Sequence, residues 1–274
     1  MIPAFGFKSG KQKDPDVSYP YIIWTMRRTG GTTLAALLAT LSEHPGVAHE
    51  PFNPDRLFGA IATAWAQDPD PERLRAELTE ALARRPVIKH CYELHSGPFN
   101  EILLEVATGL GYRHMVLDRR AEVDRILSLE LAKITGVWGP NEAEAAYDRI
   151  ARGKEVLAPI PVAQAVQHMR FCAAARARLT AQFDALGVDP YVVFFEDVYA
   201  DPDPEAGMGR VYAILRFLEI DPKAHPKSYA MIVDALTNKD QKTRRIMDAV
   251  SNLNEARAVL SAEMPSEGSH FTAS

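Results

Sequence analysis

The sequence predicts an α/β fold, a central parallel sheet flanked by helices on both faces. Three observations carry that expectation. Short apolar runs of strand length alternate with longer segments of helical spacing along most of the chain. The first of these runs, YPYIIWTM, is apolar almost throughout, as in a buried strand. No internal repeat or low-complexity linker interrupts the alternation, so it belongs to one domain.

YPYIIWTM (19–26) reads as a buried first strand, and 32–43 as a helix with Leu34, Leu37, Leu38 and Leu41 at helical spacing. GVAHEPF (46–52) is short and apolar and reads as a second strand, with a helix over 55–66. DPDPER is a break in which Pro71 is well placed to open a helix running to about Arg84. PVIKHCYE (86–93) is a strand, 98–109 a helix ending at Gly111, RHMVLDR (113–119) a strand, and a helix follows to about 135. Residues 141–151 and 162–186 read as helices, the second rich in alanine. YVVFFEDVY (191–199) is the clearest strand, followed by helices at about 206–218, 226–236 and 252–262. The expected organisation is a single domain over 1–262, with 136–187 as a helical insertion and 263–274 as a tail without order.

Composition narrows the function. Hydrophobic residues make up 47% and charged residues 24% of the 274, which fits a soluble globular protein. A net charge of −5 argues against non-specific nucleic-acid binding. Arginine outnumbers lysine 21 to 10, which favours forked, bidentate contacts to oxyanions. Cys91 and Cys172 lie in apolar surroundings with no CxxC spacing, which points to a reducing, cytoplasmic setting. No run of 18 apolar residues and no signal-peptide core is visible, so no membrane insertion is expected. Homo-oligomerisation stays open. Three histidines in 90–114 show neither HxxxH nor HxH spacing, so no metal is expected.

MRRTGGTTLAALL (26–38) carries the first chemistry. A strand, a Gly/Thr turn and a helix opening near Thr32 make an anion cradle. Gly30 and Gly31 let backbone approach the anion, while Thr29, Thr32 and Thr33 offer hydroxyls and Arg28 a permanent charge. The simpler alternative is a Gly-rich turn with Thr32 as helix cap. The pattern is not G-x-x-x-x-G-K-[ST], since no glycine lies upstream and Gly31 is followed by threonine. A second feature is the strand ending in Arg120 with Ser128 eight residues on, in MVLDRRAEVDRILSLELA (115–132). Read by itself, this spacing is better met by Arg119 and Arg120 pairing with Glu122 or Asp124 and by Ser128 as an ordinary helix residue.

Together, RRTGGTT and the Arg120–Ser128 pair resemble the two nucleotide-binding signatures of sulfotransferases that use 3′-phosphoadenosine 5′-phosphosulfate (PAPS). Arg27 stands where that family usually has proline. HEPFNPDR (49–56) resembles the region after the first helix in bacterial enzymes of the trehalose 2-sulfotransferase type, where a glutamate is proposed as base. VVFFEDVYADP followed by AILRFLEID resembles the family's closing strand and helix, and TNKDQKTRRI (237–246) falls where it places a basic loop.

The resemblance implies a P-loop NTPase-like sulfotransferase fold. It also implies transfer of a sulfuryl group from PAPS, as co-substrate and without metal, to a hydroxyl of a small-molecule or carbohydrate acceptor. Arg28, Thr29, Gly30, Gly31, Thr32, Thr33, Arg120, Ser128, Lys242 and Thr243 would hold the nucleotide. In-line transfer asks for positioning and charge stabilisation, a role for Arg28 at the bridging oxygen. It also asks for a base, for which Glu50 is the first candidate and His90 the second, with Lys89 available to the sulfonate. Glu196 and Asp197 read as structural partners for arginines. A small-molecule kinase and a silent nucleotide-binding protein are the alternatives. The first would need a magnesium-binding aspartate after a second strand and a lysine in the loop.

Overall fold

The computed structural model describes residues 18–47, 49–138, 140–199, 204–237, 244–264 and 271. The strands are β1 (Tyr21–Thr25), β2 (Ile88–Cys91), β3 (Arg113–Asp118) and β4 (Tyr191–Phe194), paired all-parallel in the order β2-β1-β3-β4. The helices are α1 (Gly31–Leu41), α2 (Gly59–Gln67), α3 (Pro71–Leu82), α4 (Gly97–Gly109), α5 (Glu122–Thr135) and α6 (Pro140–Ala151). They continue with α7 (Val162–Leu186), α8 (Phe195–Tyr199), α9 (Pro204–Leu218), α10 (Ser228–Thr237), α11 (Arg244–Met247) and α12 (Leu253–Ala262). The expected α/β class is the observed one.

The strands read as apolar runs because both faces are covered. Ile22, Trp24, Ile88, Val116 and Val192 face a core built with α3, α4 and α7. Tyr21, Ile23, Met115, Leu117 and Val193 face a second core built with α1, α9 and α10. A third cluster joins α5, α6, the start of α7, Ile246 and α12. Helix starts follow local chemistry. Asp70 accepts from the N–H groups of Glu72 and Arg73 ahead of Pro71, and the Ser96 hydroxyl accepts from Phe99 N. Among the described residues no helix is long and apolar enough to cross a membrane.

Two expectations need correction. GVAHEPF is not a strand, and Gly46 makes only a single bridge to Val87. The chain then folds as consecutive turns, with Asn53 N donating to Glu50 O (3.0 Å) and Phe58 N to Pro51 O (2.7 Å). Gly46 and Pro51 weaken strand pairing, and among the described residues the outer edge of β2 is met only locally, by the Gly46–Val87 bridge and the Glu50 N–H to Lys89 O bond. The run 191–199 stays extended only to Phe194, because its partner β3 ends at Asp118, opposite Phe194. Beyond that point the chain coils into α8. Within the segment expected as a helical insertion, Phe183 and Leu179 of α7 belong to the first core. Of the tail, Phe271 is buried and its ring lies 6.5 Å from that of Phe183.

Candidate functional site

The strand order places β1 between β2 and β3, so successive connections leave it in opposite directions. In open α/β sheets that reversal opens a crevice beyond the carboxyl ends of the strands. The loop 26–30 occupies it. Thr25 Oγ1 donates to Leu117 O (2.9 Å) and Thr29 Oγ1 to Met26 O (2.8 Å), which folds the loop back on the strand end. The two hydroxyls also meet each other. Thr29 is therefore buried and its single proton is spent inward, unlike the ligand role expected from sequence. Gly30 sits at φ 74°, where an added Cβ would lie 2.6 Å from the Phe195 ring, so only glycine fits. α1 then opens at Gly31 without a side-chain cap, presenting its amino end and positive dipole to the crevice.

Arg28 has φ 69°, a left-handed conformation that costs a non-glycine residue about 1–2 kcal/mol. Buried groups on three sides hold it there. Glu93 Oε1 accepts from Arg27 N (2.8 Å) and Arg27 Nε (3.0 Å). Arg125 Nη1 donates to Arg27 O and Arg119 Nη1 to Arg28 O, both at 3.2 Å. The Arg28 side chain reaches α5, where its Nε donates to Ser128 Oγ (2.9 Å). Two residues singled out from separate motifs, 100 positions apart, are thus in direct contact.

The spacing of eight pointed to Arg120, but its guanidinium is engaged elsewhere. It makes a forked pair with Asp197 (2.6 and 3.0 Å) and lies 4.0 Å over the Phe194 ring. Arg119 is the arginine that faces the loop, its buried Nε without a hydrogen-bond partner and 4.0 Å from Glu196 Oε1. Glu196 accepts from the backbone N–H groups of Arg120 and Ala121, capping α5 across the chain. Glu196 and Asp197 are the arginine partners that their position implied. Glu122 instead pairs with Arg125 (2.7 Å) and Asp124 with Arg257 (2.7 Å).

The opposite wall comes from β2, where successive side chains point to opposite faces. Lys89 is on the loop face. Its Nζ is 2.7 Å from Glu50 Oε1 and 3.4 Å from Thr32 Oγ1 in the first turn of α1. Glu50 sits at φ 56°, its N–H donating to Lys89 O (3.2 Å), and its carboxylate also accepts from Asn53 Nδ2 (3.0 Å) and Cys91 Sγ (3.3 Å). It therefore reaches the expected edge of the sheet through turns rather than a strand. Burial pushes its carboxyl up, but the Lys89 charge and these three donors outweigh it and hold the pKa at about 2. For Lys89, burial favours the neutral amine, and neighbouring Cys91 and Glu50 more than restore the cation, raising its pKa.

His90 points the other way. It is buried among Trp24, Phe52 and Phe99, with Nε2 2.7 Å from Asn100 Oδ1 and its ring stacked on His95 at 4.9 Å. Burial and His95 push its pKa down to about 3, so the ring is neutral and enclosed. The two candidate bases are on opposite sides of β2, and Glu50 is the one beside the loop. Lys242 and Thr243 lie outside the described residues.

Sequence reasoning missed Glu93, Arg125 and a buried chain of charge behind the loop. Arg176 of α7 donates to both Asp118 oxygens (2.8 and 3.1 Å) and to Glu122 Oε2 (3.3 Å), with all three side chains almost wholly enclosed. Only Arg125 left a local signal, an i,i+3 partner in Glu122. The others pair across 54 to 66 residues. No protein-family model and no curated protein matches the chain.

Proposed function

We propose that the chain is a sulfotransferase that moves a sulfuryl group from PAPS to a hydroxyl of a small-molecule or carbohydrate acceptor. The observation that carries this reading is the convergence of Arg28, Ser128, Arg119 and Lys89 around the uncapped amino end of α1, with a carboxylate, Glu50, against them. Four cationic or hydroxyl donors at a helix amino end suit a phosphate-rich ligand. Arg119 Nε makes no hydrogen bond and lies 4.0 Å from Glu196 Oε1, so this guanidinium is less fully engaged than that of Arg120. The kinase alternative is less well served. Asp118, the carboxylate ending β3, has both oxygens taken by Arg176, which leaves it poorly placed to bind magnesium.

In this reading Lys89 and Arg28 balance charge on the transferring group and on the leaving phosphate. The acceptor oxygen attacks sulfur, the bond from sulfur to the phosphate oxygen breaks, and Glu50 takes the acceptor proton. Calorimetry with 3′-phosphoadenosine 5′-phosphate against AMP tests the nucleotide half. The bisphosphate is expected to bind more tightly. Arg119→Ala should cost it about 1.5–3 kcal/mol, roughly 10- to 150-fold, as for a charged hydrogen bond. Arg120→Ala should cost much less, because that guanidinium is already satisfied by Asp197. Equal affinity for the two nucleotides would remove the sulfotransferase reading.

A further inference from the structure

We propose that Glu93 is the positioning residue of the loop: by holding Arg27 it sets the left-handed turn at Arg28 and so the place of the Arg28 guanidinium. That Arg28 then serves a nucleotide rests on the sulfotransferase reading. The hold of Glu93 on the turn rests on the geometry alone.

The strand register shows why a side chain is needed here. β1 pairs with β2 as far as Thr25 opposite Cys91, and with β3 as far as Thr25 opposite Leu117. Beyond Cys91 the chain closes into a 3₁₀ turn, Tyr92–Leu94. Arg27 therefore stands past the end of both ladders, and its backbone groups need other partners. Glu93, level with it on the neighbouring strand end, supplies one. Its Oε1 accepts from Arg27 N (2.8 Å) and from Nε of the same residue (3.0 Å). Arg125 Nη1 takes the Arg27 carbonyl from the side of α5 (3.2 Å). Arg27 is thus gripped by its amide, its carbonyl and its side chain.

The grip is charge-assisted and dry. The Glu93 side chain is fully enclosed, and that of Arg27 is only 24% exposed. Glu93 spends its bonding on Arg27 alone, since its other oxygen, Oε2, is buried without a hydrogen bond. Burying that oxygen unbonded costs stability, so this carboxylate is better suited to placing the loop than to strengthening the fold. The pairing also separates the two adjacent arginines. The charge of Arg27 is spent inward on Glu93, which makes Arg27 the anchor and Arg28 the cation of the site.

The next residue carries the consequence. A non-glycine residue at φ 69° persists only where its surroundings fix it. Arg119 Nη1 fixes the far side of the turn by donating to Arg28 O (3.2 Å), and Glu93 fixes the near side through Arg27. From that turn the Arg28 side chain reaches Ser128 Oγ (2.9 Å). With the near side released, Arg28 relaxes toward negative φ, its Cβ swings away, and the contact with Ser128 is lost.

The test compares Glu93→Gln with Glu93→Met, which remove the same charge at similar volume and differ in one acceptor oxygen. Two readouts are taken below the melting temperature of each: the Arg28 Nε–H signal in nitrogen-15 NMR, identified by its loss in Arg28→Lys, and calorimetric affinity for 3′-phosphoadenosine 5′-phosphate. In wild type the bond to Ser128 should slow exchange of that proton with water. Glu93→Gln should keep the slow signal and bind the nucleotide within about 3-fold of wild type, while Glu93→Met should lose the signal and about 10-fold or more in affinity. If Glu93→Met does not fold, Arg27→Met with Glu93→Met removes the pair as a unit and should show the same two losses. A slow signal that survives loss of the acceptor, or equal behaviour of the Gln and Met variants, overturns the proposal. So does undiminished affinity once the signal is gone. If the signal responds as expected while wild type does not bind the nucleotide, the sulfotransferase reading falls and the hold of Glu93 on Arg28 stands.

Discussion

Arg176→Met is expected to cost the fold about 3–5 kcal/mol, the loss typical of breaking one partner out of a buried ion pair. For a chain of this size that lowers the melting temperature by roughly 5–15 °C in calorimetry. The side chain is almost wholly enclosed, and its removal strands the Asp118 carboxylate and half of the Glu122 carboxylate without their cation. Methionine fills the volume but offers no charge, so Asp118 keeps the Arg119 N–H (2.8 Å) but loses the cation that offsets its desolvation.

Two controls give that prediction its content. Pairing Arg176→Met with Asp118→Asn removes the stranded charge and should recover much of the loss, because a buried pair is often replaceable as a unit. The second control is pH. Arg125 and Arg176 hold the Glu122 carboxyl below its ordinary value against the pull of burial. Its contribution is therefore full above the unfolded carboxylate pKa and is lost as pH falls through the folded one. Wild type should lose stability on acidification over that window, and Arg176→Met should lose less of it. A variant that melts with wild type at neutral pH would show that the network carries no net coupling.

The same network explains which parts of the molecule the sequence could announce. β1 is apolar at nearly every position and β3 at its centre, Met115 to Leu117, because both faces are buried, and that pattern is local. α3 and α4 carry their caps and prolines in sequence. By contrast, 46–52 has the composition of a strand but meets the β2 edge only at a bridge and one hydrogen bond before turning away, and its composition does not record that. The overrun of β4 has the same origin: Phe195 and Val198 suit a strand, but β3 has already ended.

The site divides along the same line. The Gly/Thr loop was legible because a strand, a turn and a helix follow one another without interruption. Ser128 was found by spacing, and the structure brings it to Arg28. Arg120 was chosen over Arg119 by spacing too, yet the two guanidinia are separated by what lies across the sheet edge, Asp197 for one and the loop carbonyl for the other. The alternation of β2 was readable, with Lys89 and Cys91 opposite His90. Which face of β2 carries the loop depends on strand order, and no residue within the strand encodes it.

On the proposed sulfotransferase reading, Glu50→Gln is expected to keep the affinity for 3′-phosphoadenosine 5′-phosphate and to lose about 100-fold or more in kcat, as for removal of a general base. Glutamine retains an oxygen for Lys89 and Asn53, so the site should hold its shape. The argument turns on how a carboxylate with a pKa near 2 can accept a proton at neutral pH. In the free protein Lys89 and the other donors hold it ionised, and it is a weak base. Lys89 also lies 3.4 Å from Thr32 at the helix amino end, where a phosphosulfate would compete for its charge. As Lys89 turns to that anion, Glu50 loses its neutralising partner while staying buried, and its pKa climbs toward the working range. The pH dependence should report this. The acid limb of kcat/KM, which reflects the free enzyme, should lie below the acid limb of kcat, which reflects the complex. Lys89→Met should lift the first limb, because burial then acts on Glu50 without opposition. His90→Ala should lower the melting temperature and leave kcat per folded molecule close to wild type, since its ring is enclosed on the far face of β2. Near-wild-type turnover in Glu50→Gln, with a large loss in His90→Ala, would transfer the role of base across the strand and end this account of Glu50.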